Sequence, residues 1–305
     1  MAAPPPPLRL DARFTPETGR PVSVAPGVTR VTAPNATPYT FTGTNSFLIG
    51  TERLVVVDPG PDDPRHLRAL SAAIAGRPVE AILLTHTHKD HSRLAPALVA
   101  ATGAPLWFGG RHRLSRPARR LERNDVGRSS DWGLVPDRVL QDGESLQAGG
   151  QRLVVVATPG HCANHLSFGL PEAGLLLSGD HVMGWNSTLV SVPDGSMADY
   201  LDSLRKVIAL PYRRYLPAHG GPIEDGPEHA RALLAHREAR NRQVVAAVAG
   251  GARTRRALLA TIYPGLKLSV VPAALMTLKA HIEYLEARGE IRVTRGIFGT
   301  RLAPG

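Results

Sequence analysis

The stretch LLTHTHKDHS, residues 83 to 92, sets three histidines and an aspartate within six consecutive positions at the end of an apolar run. Crowded imidazoles repel one another when protonated, and when buried each ring needs partners for two nitrogens. Metal binding removes both objections, because neutral imidazoles donate lone pairs to a divalent charge. Two residues apart in a tight loop, His86 and His88 can direct both rings to one ion. Asp90 and His91 lie just beyond and can serve a second. Later in the chain further ligand types stand where apolar runs end: His161 after TPG, Asp180 after SG and His219 in PAHG. Imidazole and carboxylate suit zinc and similar first-row ions. Five histidines with two carboxylates are enough for two metals with open positions, and Asp180 is the natural carboxylate to bridge them. A lone histidine near a strand end is ordinarily a surface or hydrogen-bonded core residue; this combination is not of that kind.

The elements that position these groups follow an α/β pattern. VTRVTA, NSFLIG and RLVVVDPG are short strand-like runs, the last stopped by a turn signal. DPRHLRALSAAIAG has helical spacing and a stop at Gly76, and VEAILLT is a buried strand that delivers the histidine cluster to a loop. SRLAPALVAATG reads as a helix capped by Ser92. The polar residues 109 to 150 are expected to form surface excursions. QRLVVVATPGH, NHLSFGL and GLLLSGD give three more strands, MADYLDSLRKVIAL a helix, and RRYLPAHGG a short strand running into a loop. Residues 227 to 249 read as a long helix. Two helices then precede EIRVTRGIFGTRLA, a β-hairpin with Arg-Gly at its turn, which is the pattern of a winged helix. The expected organisation is a Pro-rich tail over 1–27, a catalytic domain over 28–225, and a helical linker with a winged-helix-like domain over 226–305.

Composition narrows the rest. The chain has 305 residues, 43% of them hydrophobic, so it can bury a sizeable core. No apolar run is long enough to span a membrane, and no membrane partner is expected. The N-terminus lacks the apolar core of a signal peptide and carries acids that argue against a transit peptide. One cysteine, Cys162, excludes an intrachain disulfide and fits a reducing cytoplasm. The formal net charge of +10 favours anionic partners, although an arginine-rich composition alone would give the same sign.

The string H-x-H-x-D-H with downstream TPGH, SGD and AHG resembles the metallo-β-lactamase superfamily over about residues 28 to 225. That resemblance implies an αββα sandwich with a dinuclear site at one edge. It assigns His86, His88 and His161 to a first metal and Asp90, His91 and His219 to a second, with Asp180 bridging. Asp58 matches a strand-end aspartate that supports the ligands without being one. GTNSFLIG, HTHKDHS, TPGHCANHLSF, SGDHVMG, HGGPI and the C-terminal tail occur in the order of the β-lactamase-like protein 2 branch, whose animal members are endoribonucleases. Arg93 and Leu94 depart from the small residues usual after D-H-S, and Ala218 from the glycine before the last ligand; neither removes a ligand.

The expected chemistry is metal-dependent hydrolysis by a bridging hydroxide, acting on RNA phosphodiesters. Asp90 is expected to orient the nucleophile as well as ligate. The cofactors are two divalent ions, zinc by default, with manganese and iron using the same ligands. Thioester, ester or lactone hydrolysis of the hydroxyacylglutathione hydrolase type is the alternative. A winged-helix nucleic-acid binder without enzymatic activity is the second alternative. His165 is read as a catalytic contact to substrate or, equally, as a hydrogen-bonding neighbour of the site. Cys162 is expected to be a buried thiol and His181 to point away from the metals. His66, His112, His229, His236 and His281 are expected on the surface. Lys89 and Arg93 flank the ligand loop and could steer an anion. Residues 222 to 305 carry 13 Lys/Arg against 7 Asp/Glu, so the partners expected there are nucleic acid or, through the same module, a second copy of the chain.

Overall fold

The computed structural model describes residues 8–120, 122–296 and 299–305. Four antiparallel strands begin it: β1 (Pro21–Ala25), β2 (Val28–Thr32), β3 (Asn45–Ile49) and β4 (Leu54–Val57). Helix α1 (Pro64–Ile74) then crosses to β5 (Val79–Leu83), which runs parallel to β4. Two short helices, α2 (Lys89–Ser92) and α3 (Ala95–Thr102), lead to β6 (Leu106–Phe108) and β7 (Arg138–Val139), which complete a seven-stranded sheet in sequence order. The second sheet holds β8 (Ser145–Ala148), β9 (Gln151–Ala157), β10 (Leu166–Leu170) and β11 (Leu175–Gly179). Helix α4 (Met197–Ala209) connects it to its parallel edge strand β12 (Arg214–Pro217), giving the order β12-β11-β10-β9-β8.

Side-chain alternation makes this an αββα sandwich. In β4, Val55 and Val57 meet Val155, Leu166 and Phe168 of the second sheet in the central core. The intervening Leu54 and Val56 face outward onto Leu70 and Ile74 of α1 and Leu98 of α3. The second sheet's outer face, with Leu176 and Tyr215, packs on Tyr200, Leu201 and Leu204 of α4. Strands covered on both faces read as unbroken apolar runs, which is why RLVVV and GLLL carry no alternation in the sequence.

Helix α5 (Gly226–Ala249) leaves the sandwich and carries the last elements: α6 (Arg255–Ile262), α7 (Val271–Ala287) and the hairpin β13 (Ile291–Gly296) with β14 (Gly299–Pro304). Val244 and Val248 of α5, Leu258 of α6, Leu278 and Leu285 of α7 and Ile291 and Leu302 of the hairpin form one core. Arg295 and Gly296, expected at the turn of the hairpin, instead end β13, paired with Thr300 and Gly299 of β14; residues 297 and 298 lie outside the described residues. Among the described residues no helix is long and apolar enough to cross a membrane.

Three local expectations change. Ser92 does not cap a helix; it ends α2, its hydroxyl donates to the His88 carbonyl at 3.1 Å, and α3 starts at Ala95. Pro96 explains the break, since its ring would clash with the carbonyl four residues back, that of Ser92. His66 and His281 are buried rather than on the surface. Each lies on an apolar helical face, His66 with Leu70, Ala73 and Ile74, His281 with Leu278, Ile282 and Leu285. The ring of His66 is 2.8 Å from the Ser46 hydroxyl and that of His281 2.6 Å from the Asn241 side chain. His229 is half-buried, donating to the Met183 carbonyl at 2.9 Å, and His236 is also half-buried.

Burial lowers the His66 pKa from 6.5 to about 4, against the opposing pull of Asp63. Its folded form is therefore neutral, and its contribution to stability is complete above pH 6.5. That contribution is lost as the pH falls towards 4, because only the unfolded chain takes up the proton. The urea midpoint of the metal-free protein is expected to fall between pH 7 and pH 5, and His66→Asn to flatten that dependence.

Candidate metal centre

The site sits where the strands of both sheets end. Strand β5 leads into Thr85 and the loop of His86, His88, Asp90 and His91, β9 into His161, β11 into Asp180 and β12 into His219. These seven side chains, separated by up to 133 residues (219 − 86) in the sequence, converge.

Hydrogen bonds fix which nitrogen of each ring faces inward. The Asp58 carboxylate, on a residue with φ of 51°, accepts from the Thr85 backbone N–H and hydroxyl, both at 2.7 Å, and from His91 Nδ1 at 3.0 Å. The Thr85 proton is thereby committed, so His86 Nδ1, 3.0 Å from the same hydroxyl oxygen, donates to it. His88 Nε2 donates to Asp194 at 3.2 Å and His161 Nδ1 to the Leu189 carbonyl at 2.7 Å. His219 Nδ1 faces the Gly43 carbonyl at 3.3 Å. In each neutral ring the opposite nitrogen is then a bare lone pair.

Three of these lone pairs meet. His86 Nε2 lies 3.0 Å and His161 Nε2 2.8 Å from His88 Nδ1. When the three rings are neutral and their N–H groups directed outward, no proton remains to bridge them. Such a triangle is repulsive unless a cation occupies it, and tetrahedral zinc–nitrogen bonds hold their donor atoms about 3.3 Å apart. A second group forms beside it: His219 Nε2 is 3.3 Å from both Asp90 Oδ2 and Asp180 Oδ1, and His91 Nε2 is 3.5 and 3.6 Å from the same two oxygens. The other Asp180 oxygen faces His161 Nε2 at 3.6 Å. Asp180 thus touches both groups, and its Oδ1 and His91 Nε2 are buried polar atoms without a hydrogen-bond partner. The residues fit divalent metal ions.

The charge balance agrees. Burial, reinforced by neighbouring rings, drives the His86 pKa well below its usual value and that of His161 to about 4, so both present lone pairs. Burial also acts on His219, yet Asp180 and Asp90 outweigh it and hold its pKa up at about 9. His91 is raised well above its usual range by Asp90, Asp180 and Asp58 against the same burial. The acidic half of the site demands positive charge, from protons or from metal.

The metallo-beta-lactamase superfamily matches residues 39–219, the segment that contains every one of these groups. The chain belongs to that superfamily. It is 32% identical over 72% of its length to lactamase-like protein aptB of Emericella nidulans, and the match spans 64% of that relative. It is 29% identical to the beta-lactamase-like protein 2 homolog of Caenorhabditis elegans, over 72% of this chain and 70% of the relative. The crystal structure of a beta-lactamase domain protein from Burkholderia ambifaria superposes with a TM-score of 0.79 at 26% identity, covering 96% of both chains. That span takes in the C-terminal helices as well as the superfamily's sandwich.

His165 lies behind the centre. Its Nε2 accepts from the backbone N–H of Asp180 at 3.1 Å and its Nδ1 is 2.8 Å from the Thr158 hydroxyl, so both nitrogens are engaged by the protein. Of the two expectations for His165, its geometry favours the hydrogen-bonding one, holding the Asp180 turn. Cys162 is buried, its thiol pushed well above the usual range by burial. Lys89 and Arg93 are tied to the loop ahead of them, Lys89 Nζ donating to the Arg128 carbonyl at 2.6 Å and Arg93 pairing with Asp131 at 3.6 Å.

Three contributors carry no signal at ligand spacing. Thr85 relays Asp58 to His86. Asp194, between β11 and α4, is buried and accepts from His88 and, at 2.8 Å, from His112 Nε2. His112 is therefore not on the surface: the segment expected to be an excursion folds over the site, and Thr87, Asp194 and Trp132 enclose its ring. Asp58→Asn turns one of the two accepting oxygens into an NH2 donor, so that at least one of the three N–H and O–H groups it serves loses its acceptor. It is expected to weaken zinc binding by roughly 10- to 100-fold in calorimetric titration of the metal-free protein, with the circular dichroism spectrum retained.

Proposed function

We propose that this superfamily hydrolase is a dinuclear enzyme that cleaves RNA phosphodiesters. The observation that carries the dinuclear reading is Asp180, whose two oxygens face two separate ligand groups. In this reading His86, His88 and His161 would hold one ion and Asp90, His91 and His219 the other, with Asp180 able to contribute to both. Zinc suits the donor set best, and manganese and iron share it. The ions, when bound, make water acidic enough to supply hydroxide near neutral pH and draw charge from the substrate's oxygen.

The chain's own residues orient and enclose. Asp90 is the most open of the carboxylates, its side chain 28% exposed against 10% for Asp180. It is the group able to hold the attacking water towards an incoming substrate as well as to ligate. Asp58 and Asp194 fix the rings of His91 and His88, and His165 fixes the Asp180 backbone, so the donors are in position before substrate arrives. For RNA as substrate the support is the likeness to the beta-lactamase-like protein 2 homolog and the basic excess after residue 222. Helices α6 and α7 with the β13–β14 hairpin are taken as a winged-helix-like module serving that substrate.

The test is hydrolysis of single-stranded RNA and of a thioester by the purified protein, with and without chelator. Chelator-sensitive RNA cleavage is the expected result; turnover confined to the thioester would move the assignment to a small-molecule hydrolase. His88→Ala is expected to abolish activity and metal binding at its site while the fold persists, and retained turnover at full metal content would refute its role.

A further inference from the structure

A second basic feature lies beside the metal centre, between residues 119–120 and 122–125 on one side and the C-terminal module on the other. A cavity of about 440 Å³ is lined there by Arg119, Arg120, Arg123, Arg255, Lys279 and Arg295. Three carboxylates also line it, and two of them are fully engaged. Glu122 is held by Arg116 at 2.7 Å and Lys279 at 2.9 Å, and Glu283 by Arg116 at 2.6 Å and Arg119 at 2.8 Å. Arg295 pairs with Glu286. Arg120, Arg123 and Arg255 are exposed and, among the described residues, have no carboxylate within ion-pair distance, leaving Asp125 as the one acidic group to offset them. The cavity is of ligand size and carries an excess of cationic hydrogen-bond donors drawn from two separate parts of the chain.

Its wall is continuous with the site. Lys279 Nζ donates to the Val192 carbonyl at 3.0 Å, two residues before the Asp194 that orients His88. Ser115 donates to the carbonyls of Pro193 and Gly195 at 2.9 and 2.7 Å, and Asn124 reaches Asp194 at 3.5 Å. A chain molecule bound at the metals and running along this wall would meet the arginines next. We propose that the cavity is a backbone subsite that holds phosphates of a single-stranded RNA substrate away from the scissile bond. This rests on the RNA reading above, and it assigns Arg120, Arg123 and Arg255 to phosphate contact and Arg116, Glu122 and Glu283 to holding the two walls together.

Fluorescence anisotropy of a short labelled 2′-O-methyl oligouridylate on the metal-loaded full chain, across a salt series, tests it. For Arg120→Ser/Arg123→Ser/Arg255→Ser, affinity is expected to fall and the slope of log Kd against log salt to drop by about two, near 0.7 for each phosphate no longer neutralised. The Arg→Lys triple variant keeps the charge and should keep most of the slope, which separates charge loss from misfolding. Unchanged affinity and slope in the serine variant would overturn the subsite, even if the wild type cleaves RNA. Charge-dependent binding without RNA cleavage would uphold the subsite and remove the ribonuclease reading instead.

Discussion

The imidazoles of the centre have their N–H groups turned outward, to Asp58, Asp194, the Thr85 hydroxyl and the carbonyls of Leu189 and Gly43. That outward bonding decides the tautomers: in the neutral form of each ring the nitrogen facing the interior is a lone pair, set among the carboxylate oxygens of Asp90 and Asp180. An isolated arrangement of this kind would be costly, since buried acceptors without donors lose their hydration and gain nothing. The fold tolerates it because the strand ends are held by the central core, far more apolar than the site. The site is accordingly built for cations, with a group of three imidazoles beside a group of two carboxylates and two histidines.

The sandwich supplies placement at low conformational cost. Strands covered on both faces have little freedom to shift register, so the residues at their ends recur in fixed positions. Asp58 illustrates the local constraint: it sits in left-handed backbone immediately after β4, which swings its carboxylate sideways to reach both Thr85 and His91. The C-terminal module is tied in by polar rather than apolar contact at one point. Arg116, Arg119 and Lys279 share Glu122 and Glu283 across the two parts of the chain. Single exposed ion pairs contribute little, but this network is partly buried, and it abuts the segment that bears Asp194.

Much of this was legible in the sequence. The ligands announce themselves by chemical type and by position at the ends of apolar runs, and Gly76 and the β-branched segments mark the elements that carry them. The supporting groups were not legible. Asp194 lies 106 residues from His88 and 82 from His112, and no local periodicity reports a contact over such distances. His112 looks like a solvated residue between two arginines because its burial depends on a loop folding back. His66 and His281 are different: their spacing to apolar neighbours on a helix does mark a buried face, and the polarity of the residue type masked it.

The proposed chemistry requires that the site take two cations and that Asp180 contribute to holding both. The direct measurement is elemental analysis of the purified, metal-reconstituted chain alongside the Asp180→Ala variant. Two divalent ions per chain in the wild type, with loss of at least one in the variant, is the predicted result. One ion or fewer in the wild type, or full occupancy without Asp180, would contradict it.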